Sequence, residues 1–374
     1  MKITIVAPVH IYDDVRVFQK EAKTLAANGH RVSLIARIAE PQFQGDIQII
    51  PAPTAASRIK RFLLLFRVFR IALTQRADVY HLHNPDTIPI VFGLKLLRKR
   101  VIYDTHENFR DFILIKHWIP RPLRLLFALM VSGLEAVAGR VADRSIATEA
   151  AVVKRLGRNA VLIENPPVTE SVAAERACPC AREVGGELRL IYVGTISRAR
   201  GLDLMIDALE VVNRQQPCRL WLIGGGADKE IDEARQRPGW KWVDYLGMLP
   251  QAQAFAYMMK SEIGLVTFLN VGGHAHLSPN KLYEYMLFGI PFVASDFAAW
   301  RRHMPSLEAG LFADPSSIDD VAEKIIWLAQ HPEAGERMAA QGKQFVMQKY
   351  NWELESRKLL DIYQTFEDQA LTHA

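Results

Sequence analysis

Residues 188–209, LRLIYVGTISRARGLDLMIDAL, decide the fold class of this chain. The strand-forming run Leu188–Val193 leads into a glycine turn, and a helical pattern follows from residue 201 onward. A near-continuous apolar strand that precedes a helix is typical of a parallel sheet covered by helices on both faces. The stretch therefore predicts an α/β domain built on a doubly wound sheet.

The same alternation of strands and helices extends through both halves of the chain. In the first half it predicts strands at 2–7, 31–36, 47–50, 79–82, 100–103 and 144–148, and helices at 15–28, 58–76, 87–98 and 121–141. In the second half it predicts strands at 188–193, 219–223, 240–246, 262–267 and 291–294, and helices at 201–214, 251–260, 279–288, 317–330 and 333–348. We therefore predict two doubly wound, Rossmann-like domains, 1–168 and 188–350, with an irregular linker at 169–187 and a last helix in 351–374.

Composition excludes several classes of protein. The chain has 374 residues, of which 49% are hydrophobic and 23% charged, a composition unlike that of disordered or multi-span membrane proteins. Its longest uncharged apolar run, Leu125 to Leu134, is shorter than the roughly 18 residues that a spanning helix needs. We expect no spanning helix and no signal peptide. The three cysteines form no disulfide framework, so we expect a cytoplasmic protein.

Charge is distributed unevenly along the chain. The overall net charge is +5, but residues 1–165 hold 25 Lys/Arg against 14 Asp/Glu, a balance of +11. The remainder holds 21 Lys/Arg against 27 Asp/Glu, a balance of −6. A basic half indicates an anionic partner, and both nucleic acid and an anionic membrane leaflet fit at this point.

Polar residues follow three strands of the first domain, where ligands of doubly wound sheets bind. They are His10, Asp13, Asp14 and Arg16; then His81, His83 and Asp86; then His106 and Glu107. In the first group Asp13 or Asp14 is either a ligand group or a helix cap. The histidines and acids allow a metal site, a polar ligand pocket or histidines packed in the core, and we favour the pocket.

Three segments of the second domain suit a nucleotide or its phosphates. Gly194 and Thr195 precede Arg198 and Arg200 at a helix start, which suits a diphosphate. A second glycine turn begins at Gly224, although a tight turn explains it equally well. The third segment runs from Gly272 through His276, Ser278, Pro279, Asn280, Lys281, Leu282 and Glu284 to Ser295. The helix start at Ser278 favours an anion. Glu284 one turn later suits the two hydroxyls of a ribose, but taken alone it is explained better as part of a solvated helix face.

Together these segments resemble the retaining GT-B-fold glycosyltransferases of family 4, many of which build bacterial surface polysaccharides. The resemblance rests on Arg-Gly-Leu-Asp at 200–203, on Ser-Pro-Asn-Lys-x-x-Glu-Tyr-Met-x-x-Gly-x-Pro at 278–291 and on Tyr-Asn-Trp at 350–352. His-x-His-Asn-Pro-Asp at 81–86 and Tyr-Asp-x-His-Glu at 103–107 match one branch of the family. It implies two domains that face each other across a cleft, with the last helix crossing back to the N-terminal domain.

The resemblance also implies roles for single residues. Glu284 matches the acid that holds the donor ribose, Arg200 the cation on the diphosphate, and His106 the histidine near the reacting sugar. Residues Asn280, Lys281 and Leu282 match the helix start around the diphosphate, and Tyr245 lies where the base usually binds. The expected catalytic set is His106, Glu107 and His276; the expected donor set is Gly194, Thr195, Arg198, Arg200, Gly224, Tyr245, Ser278, Asn280, Lys281, Leu282 and Glu284; and the expected acceptor set is His10, Asp13, Arg16, His83 and Asp86.

Two positions depart from the pattern of the family. His276 stands where the first Glu of Glu-x7-Glu is usual, and Thr195 stands where an Arg is frequent, a loss that we expect Arg198 to offset. The implied reaction moves a sugar from a UDP- or GDP-type donor to a saccharide with retention, without a cofactor or a metal. A sugar-nucleotide epimerase of GT-B shape and an inactive sugar-binding scaffold are the competing interpretations.

The basic half now has a candidate partner. Residues 58–76 carry Arg and Lys among apolar residues nearly all round the helix, and the 110–124 region adds more basic and apolar residues. We expect these segments to meet an anionic membrane leaflet, unless 58–76 is an ordinary covering helix with solvated arginines. A nucleic acid is not expected, because no binding motif for one is present. The expectation is a transferase at the inner face of the cell membrane with a lipid-linked saccharide as acceptor.

Overall fold

The protein folds into two units. The computed structural model describes residues 1–54, 58–114, 119–169, 187–276, 279–302, 304 and 308–372, with the backbone alone at 58–62, 302 and 371–372. Unit 1 comprises Met1–Asn165 and Trp352–Ala374, and unit 2 comprises Pro166–Asn351. The predicted linker, 169–187, falls almost wholly outside the described residues.

Unit 1 is built on an eight-stranded sheet. Its strands are β1 Lys2–Ile11, β2 Arg31–Arg37, β3 Gln42–Gln44, β4 Ile47–Pro51, β5 Val79–His83, β6 Arg100–Thr105, β7 Arg144–Ala147 and β8 Ala160–Leu162. Their order is β3-β4-β2-β1-β5-β6-β7-β8, and the pairs are parallel except β3 with β4. The strand order reverses between β1 and β5. Side chains at the carboxyl ends of β1, β5 and β6 therefore meet at the position where doubly wound sheets bind ligands.

The first helix of unit 1 has an unusual winding. It opens as a π-helical segment, Val15–Ala22, and continues as α1, Lys23–Ala27. The N–H of Gln19 donates to the carbonyl of Asp14, five residues back. This spacing places residues five apart on one face of the helix, so that Arg16 and Glu21 both point into the protein. Such π-type turns are frequent at functional sites.

Helices cover both faces of this sheet. The further helices of unit 1 are α2 Arg58–Thr74, α3 Ile88–Leu96, α4 Phe109–Leu114, α5 Arg121–Val141 and α6 Ala150–Leu156. Apolar residues of α2, α3, α5 and α6 share one core with one face of the sheet, including Val6, Leu82 and Tyr103. The π-helical segment packs against the last helix of the chain.

The last helix, Trp352–Thr372, belongs to unit 1. The Trp352 indole donates to Thr24 Oγ1 at 2.9 Å, and Arg100 donates to the carbonyl of Phe366 at 2.9 Å. The Tyr363 hydroxyl lies 2.9 Å from Nδ1 of His81 in the interior of the unit. Polar contacts from its first turn to its fifth therefore hold this helix on the N-terminal sheet.

Unit 2 is built on a six-stranded sheet of parallel pairs. Its strands are β9 Leu188–Val193, β10 Cys218–Ile223, β11 Val243–Gly247, β12 Ile263–Val266, β13 Phe292–Ser295 and β14 Gly310–Ala313, in the order β11-β10-β9-β12-β13-β14. Its helices are α7 Leu202–Val212, α8 Asp228–Ala234, α9 Gln251–Met258, α10 Asn280–Phe288, α11 Ala298–Arg302, α12 Ile318–Gln330 and α13 Pro332–Lys349; the last helix is α14. The order reverses between β9 and β12, so the loops after these strands form the ligand edge.

Some elements differ from the sequence prediction. The short edge strands β3, β8 and β14 and the helix α8 are absent from the prediction, because each has too few residues for a clear periodicity. Residues 240–242 were expected in a strand, but they belong to a 3₁₀ turn, Pro238–Trp242, and β11 begins at Val243. At Gly239 a Cβ would lie 2.0 Å from the carbonyl oxygen of Ile206, so the turn packs its backbone directly on α7.

Candidate active site

Two glycine turns of unit 2 pack backbone against backbone. Gly194, after β9, and Gly224, after β10, have φ angles of +148° and +140°. A Cβ on Gly224 would lie 1.8 Å from the carbonyl oxygen of Gly194, which excludes any larger residue there. The N–H of Ile196 donates to the carbonyl of Gly225 at 2.8 Å. The two turns thus form one rigid platform at the ligand edge of the sheet.

Two cations converge on this platform. A Cβ at Gly194 would lie 3.4 Å from Cε of Lys281 and 3.8 Å from Nη1 of Arg200. The Arg200 guanidinium also lies 5.3 Å from the centre of the Phe268 ring, a cation–π contact that fixes its position. Two positive charges beside a turn without a side chain form a cradle for an anion. Their pairing suits a diphosphate, which presents several oxygens at once.

Arg198 lies two residues before Arg200 but has different surroundings. Its side chain is 50% exposed and pairs with Asp203 at 3.2 Å and with Glu233 at 2.6 Å. The charge of Arg198 is therefore already neutralised by two carboxylates. The expectation that Arg198 offsets the missing Arg at Thr195 is corrected here: the exposed Thr195 has no such substitute in Arg198, and Arg200 and Lys281 are the cations beside the turn.

Helix α10 contributes its first turn to the same place. Pro279 precedes the helix and offers no side-chain cap, which leaves the first N–H groups, at Asn280 and Lys281, without an intrahelical partner. Leu282 was expected among the donor residues. Its side chain is fully buried and its N–H donates to the carbonyl of Pro279, so it supports the helix rather than a ligand. Ser278 lies outside the described residues.

Glu284 lies one turn into α10. Its carboxylate accepts a hydrogen bond of 2.6 Å from Lys281 and is only 14% exposed. The pair places a carboxylate that can accept hydrogen bonds from hydroxyl groups next to Lys281, one of the two cations of the cradle. Tyr245, expected near the base, donates to the carbonyl of Gly224 at 3.3 Å and so borders the second glycine turn.

The loop before α10 contains two histidines, and the sequence did not indicate a role for the buried one, His274. The Nδ1 of His274 lies 3.1 Å from the carbonyl of Ala199, and the indole of Trp300 donates to the His274 carbonyl. Burial and the neighbouring Arg200 lower the pKa of His274, so it is a neutral donor that anchors the loop to the Arg200 segment. His276, the expected catalytic residue, is exposed at the end of a 3₁₀ turn, His274–His276.

In unit 1 three histidines meet at the carboxyl ends of β1, β5 and β6. The ring centre of His10 lies 5.2 Å from that of His106 and 6.4 Å from that of His83. Nδ1 of His10 is 3.0 Å from Asp14, and Nε2 accepts from Asn84 at 2.7 Å. The carboxylate of Asp14 also caps the first helix by accepting from two backbone N–H groups. Because β1, β5 and β6 are neighbours in the sheet, side chains from three separate segments of the chain meet here.

The hydrogen bonds of Asp14 settle which acid caps the first helix. Burial opposes ionisation of this carboxyl, but the bonds from His10 and from the N–H of Val17 lower its pKa to about 2. Asp14 is therefore ionised at neutral pH. Asp13, expected on the acceptor side, is exposed, and Asp86 is half-buried.

A buried ionic group lies beneath these histidines. The Arg16 cluster, as we call it, consists of Arg16, Glu21, His81, His83 and Asp104, each at most 4% exposed. Arg16 reaches Glu21 at 2.9 Å and Asp104 at 3.1 Å. His83 Nε2 lies 3.3 Å from Glu21, and His81 Nε2 lies 3.5 Å from Asp104. The cluster joins the first helix to β5 and β6.

The Arg16 cluster offers ligand atoms for a cation, since those of Glu21, His81, His83 and Asp104 lie within 4.8 Å of one another. The guanidinium of Arg16 already contacts both carboxylates, so a positive charge is built into the group. Although burial opposes ionisation, Arg16 holds the pKa of Asp104 well below its usual range. Burial and the nearby Asp104 raise the pKa of Glu21 well above its usual range, and burial and His81 lower the pKa of His83. In the Arg16 cluster, Arg16 therefore carries the positive charge, Asp104 carries the negative charge, and the other members are neutral.

These positions correct two acceptor-side expectations. Arg16 is not a solvated or ligand-facing cation, because its side chain is 4% exposed and also donates to the carbonyls of Ile163 and Glu164. His83 has no exposed surface, so it supports the site from below. One residue could have indicated the cluster from the sequence: Asp104 is an acid inside the buried strand Arg100–Thr105.

His106 connects the buried cluster to the surface of the site. Its Nδ1 lies 3.4 Å from Asp104, and its side chain is 12% exposed. Its carbonyl accepts a hydrogen bond from Thr148, which fixes the loop after β6. Glu107, the next residue, is exposed. A partly exposed imidazole that rests on an ionised carboxylate is a group that can orient or exchange a proton with a bound ligand.

Comparison with protein families matches both halves of the chain. Residues 15–165 match the model described as Glycosyltransferase Family 4, and residues 187–331 match the model described as Glycosyl transferases group 1. Each match falls within one structural unit and covers the segments described above. The expected family is thus confirmed on both sequence and fold.

Relatives and solved structures agree with the family models. The phosphatidyl-myo-inositol mannosyltransferase of Mycobacterium leprae is 23% identical over 84% of this chain and 78% of its own length. The sucrose-phosphate synthase of Thermosynechococcus elongatus superposes with a TM-score of 0.75 at 17% identity, over 99% of this chain and 100% of the other. The Anabaena protein HepE in complex with UDP and glucose gives a TM-score of 0.69 at 14% identity, over 98% and 100%.

The two cations beside the glycine platform and the adjacent, half-buried Glu284 lie at the ligand edge of the sheet in unit 2, within the segment that matches the second family model. This chain belongs to the family 4 glycosyltransferases, enzymes of GT-B fold that take a sugar from a nucleotide-sugar donor.

Proposed function

We propose that this enzyme transfers a sugar from a UDP- or GDP-type donor to a saccharide acceptor with retention of anomeric configuration. The observation that carries the proposal is the convergence of Arg200 and Lys281 on Gly194, with Glu284 hydrogen-bonded to Lys281. This arrangement supports a diphosphate site beside Gly194 and a ribose site at Glu284. The neighbour crystallised with UDP and glucose supports a donor of this chemical class.

The reaction follows from the charges in the cradle. As the bond from the sugar to the diphosphate breaks, negative charge develops on the leaving group and positive charge on the anomeric carbon. Arg200, Lys281 and the N–H groups at the start of α10 stabilise the leaving diphosphate. The acceptor hydroxyl then attacks from the same face and gives its proton to the leaving phosphate. No residue has to form a covalent intermediate in this step.

The acceptor is proposed to be a lipid-linked saccharide of surface polysaccharide synthesis. The basic balance of +11 in residues 1–165 supports a substrate at an anionic surface. The mycobacterial relative, by its name, acts on a phospholipid headgroup. On α2 the arginines at 67 and 70 are exposed, whereas the side chains at 58–62 lie outside the described residues. We accordingly propose that the enzyme acts at the inner face of the cell membrane.

Replacing Glu284 with alanine tests the ribose site. We expect UDP or GDP to bind more weakly by roughly 1.5–3 kcal/mol, because two hydroxyls lose an ionised acceptor. Inorganic pyrophosphate should bind no more weakly than before, because Lys281 is released from its 2.6 Å bond and remains in the cradle. Calorimetric titration of both ligands measures the difference.

The control for this substitution is Glu323→Ala, which removes an exposed acid of α12. It should leave both affinities unchanged. Equal nucleotide affinity in Glu284→Ala and the parent would disprove the ribose assignment. Normal nucleotide binding without any sugar transfer or donor hydrolysis would instead favour the inactive, sugar-binding scaffold.

Removal of divalent metal tests how the diphosphate is neutralised. Because Arg200 and Lys281 supply two positive charges, we expect turnover to persist in excess EDTA. The measurement is the initial rate of transfer before and after dialysis against the chelator. Loss of turnover that magnesium or manganese restores would contradict the proposal. It would also point to the Arg16 cluster, with its closely spaced ligand atoms, as a metal site.

A further inference from the structure

Helix α5, Arg121–Val141, carries an unusual amount of exposed apolar surface. Nine of its large apolar side chains are between 37% and 61% exposed: Leu123, Leu125, Leu126, Phe127, Leu129, Met130, Leu134, Val137 and Val141. Most of them recur every three or four residues, so they form a stripe about 27 Å long on one side of the helix. Water-exposed apolar stripes of this length mark interaction surfaces.

By length and composition alone α5 is the one helix in the described residues that is long and apolar enough to cross a membrane. The uncharged run of only ten residues, Leu125 to Leu134, had predicted no such helix. In the structure the opposite side of α5 is fastened to unit 1. Glu135 is fully buried and accepts from Thr105 at 2.9 Å, Tyr103 at 3.2 Å and Arg155 at 2.9 Å.

Packing holds the same side of the helix in place. Ala128 and Ala138 are fully buried, and a Cβ added at Gly139 would lie 2.9 Å from Leu156 of α6. To cross a bilayer, α5 would have to leave this core and carry Glu135 into hydrocarbon, which costs several kcal/mol per charged group. The geometry therefore keeps α5 on the protein with its apolar stripe facing outward.

We propose that the apolar stripe of α5 lies in the plane of an anionic membrane, at the boundary between lipid headgroups and acyl chains. This deepens the proposed function, on which it rests, by naming the element that contacts lipid. Charge complementarity selects the occupant. Arg121 and Arg124 lie in the first turn of the helix and Arg140 in its last, and Arg121 and Arg140 are exposed, while the only acid of the helix, Glu135, is buried.

Neighbouring elements extend this surface. Helix α4 packs against α5 and presents exposed Phe112, Leu114 and Arg110. Basic residues around an apolar stripe match a bilayer that contains acidic phospholipid, since the cations reach headgroup phosphates while the apolar residues enter below them. A second copy of the chain would instead bring like charges of the two helices together.

The test compares two triple variants of the full chain. Leu126→Gln, Met130→Gln and Leu134→Gln together remove the centre of the stripe without touching the buried side of α5. Phe43→Gln, Ile318→Gln and Met347→Gln together remove exposed apolar side chains elsewhere, with exposures of 37–71%. Co-sedimentation is measured with vesicles of phosphatidylcholine containing about one-third phosphatidylglycerol, and with phosphatidylcholine alone.

We expect the parent and the control variant to bind the anionic vesicles and the α5 variant to bind roughly 100-fold more weakly. Raising the salt to about 0.5 M should weaken parent binding only in part, because the apolar contribution is not screened. A parent that remains in the supernatant at low salt overturns the proposal. So does equal binding by both triple variants.

Sedimentation equilibrium without vesicles tests the alternative that a second copy of the chain covers the stripe. If the parent is a dimer, the α5 variant is a monomer and the parent binds no vesicles, the stripe is assigned to a second copy and the lipid proposal is overturned.

Titration of UDP or GDP keeps the lipid proposal and the donor proposal separate. Nucleotide binding should be equal in the parent and both triple variants, and its absence in the parent would count against the donor proposal alone.

Discussion

The Arg16→Ala enzyme is expected to unfold with a free energy about 3–5 kcal/mol below that of the parent. The guanidinium contacts both Glu21 and Asp104 inside the protein, and each of these carboxylates is at most 1% exposed. Without Arg16 the ionised Asp104 would have to be protonated or remain buried without its principal cation. Either outcome costs several kcal/mol, because the group is buried and solvation cannot fully replace the lost charge.

The matched control is Arg198→Ala, which also removes an arginine bonded to two carboxylates. Because Arg198 is 50% exposed, water replaces much of its interaction, and we expect a loss of no more than about 1 kcal/mol. Urea denaturation followed by circular dichroism compares the two variants with the parent. A loss below about 1 kcal/mol in Arg16→Ala would show that the cluster contributes little to stability.

The second large effect is expected on turnover. Arg200→Ala should lower kcat by a factor of about 10²–10³, the usual loss when one preorganised group that stabilises developing negative charge is removed. Arg200 lies beside Gly194 with Lys281, and its contact with Phe268 holds it there before any ligand binds. Its contribution should be larger in the transition state, when the diphosphate carries the most charge.

Arg198→Ala serves as the control here as well, because it lies two residues away and removes the same charge from the chain. We expect its kcat to change by less than about threefold, since Asp203 and Glu233 already neutralise it. Steady-state kinetics with saturating donor and acceptor gives both values. Similar losses in the two variants would indicate a general effect of positive charge, and a larger loss in Arg198→Ala would reverse the assignment of the two arginines.

The sequence was sufficient for the architecture, because the relevant signals are local. Apolar runs such as Leu188–Val193, followed by glycine turns and helical periodicity, can be recognised in a window of about twenty residues. The rule that ligands bind at the carboxyl ends of parallel strands then located the candidate segments around Gly194, Gly224 and His106. Short edge strands such as β3 and β14 escaped because three or four residues carry no clear period.

Within those segments the sequence could not rank individual residues. Arg198 and Arg200 are the same residue type two positions apart in one turn, and His274 and His276 repeat the situation in the loop before α10. In each pair, the exposure of the side chain and its hydrogen-bonding partners distinguish the two residues. Arg198 is exposed and pairs with carboxylates of α7 and α8, whereas Arg200 is partly buried beside Gly194. His274 is buried and anchored to Ala199, whereas His276 is exposed.

By itself, then, the sequence determined the fold class, the family and the segments that form the site, since each depends on residues close together in the chain. Only the tertiary structure revealed the Arg16 cluster, whose members come from the first helix, β5 and β6, and the exposed side of α5. Both depend on which side of an element faces the core. The buried cation Arg16 depends on Asp104, which lies 88 residues away in the chain. An apolar stripe marks an interaction surface only when the opposite side of its helix packs against the core.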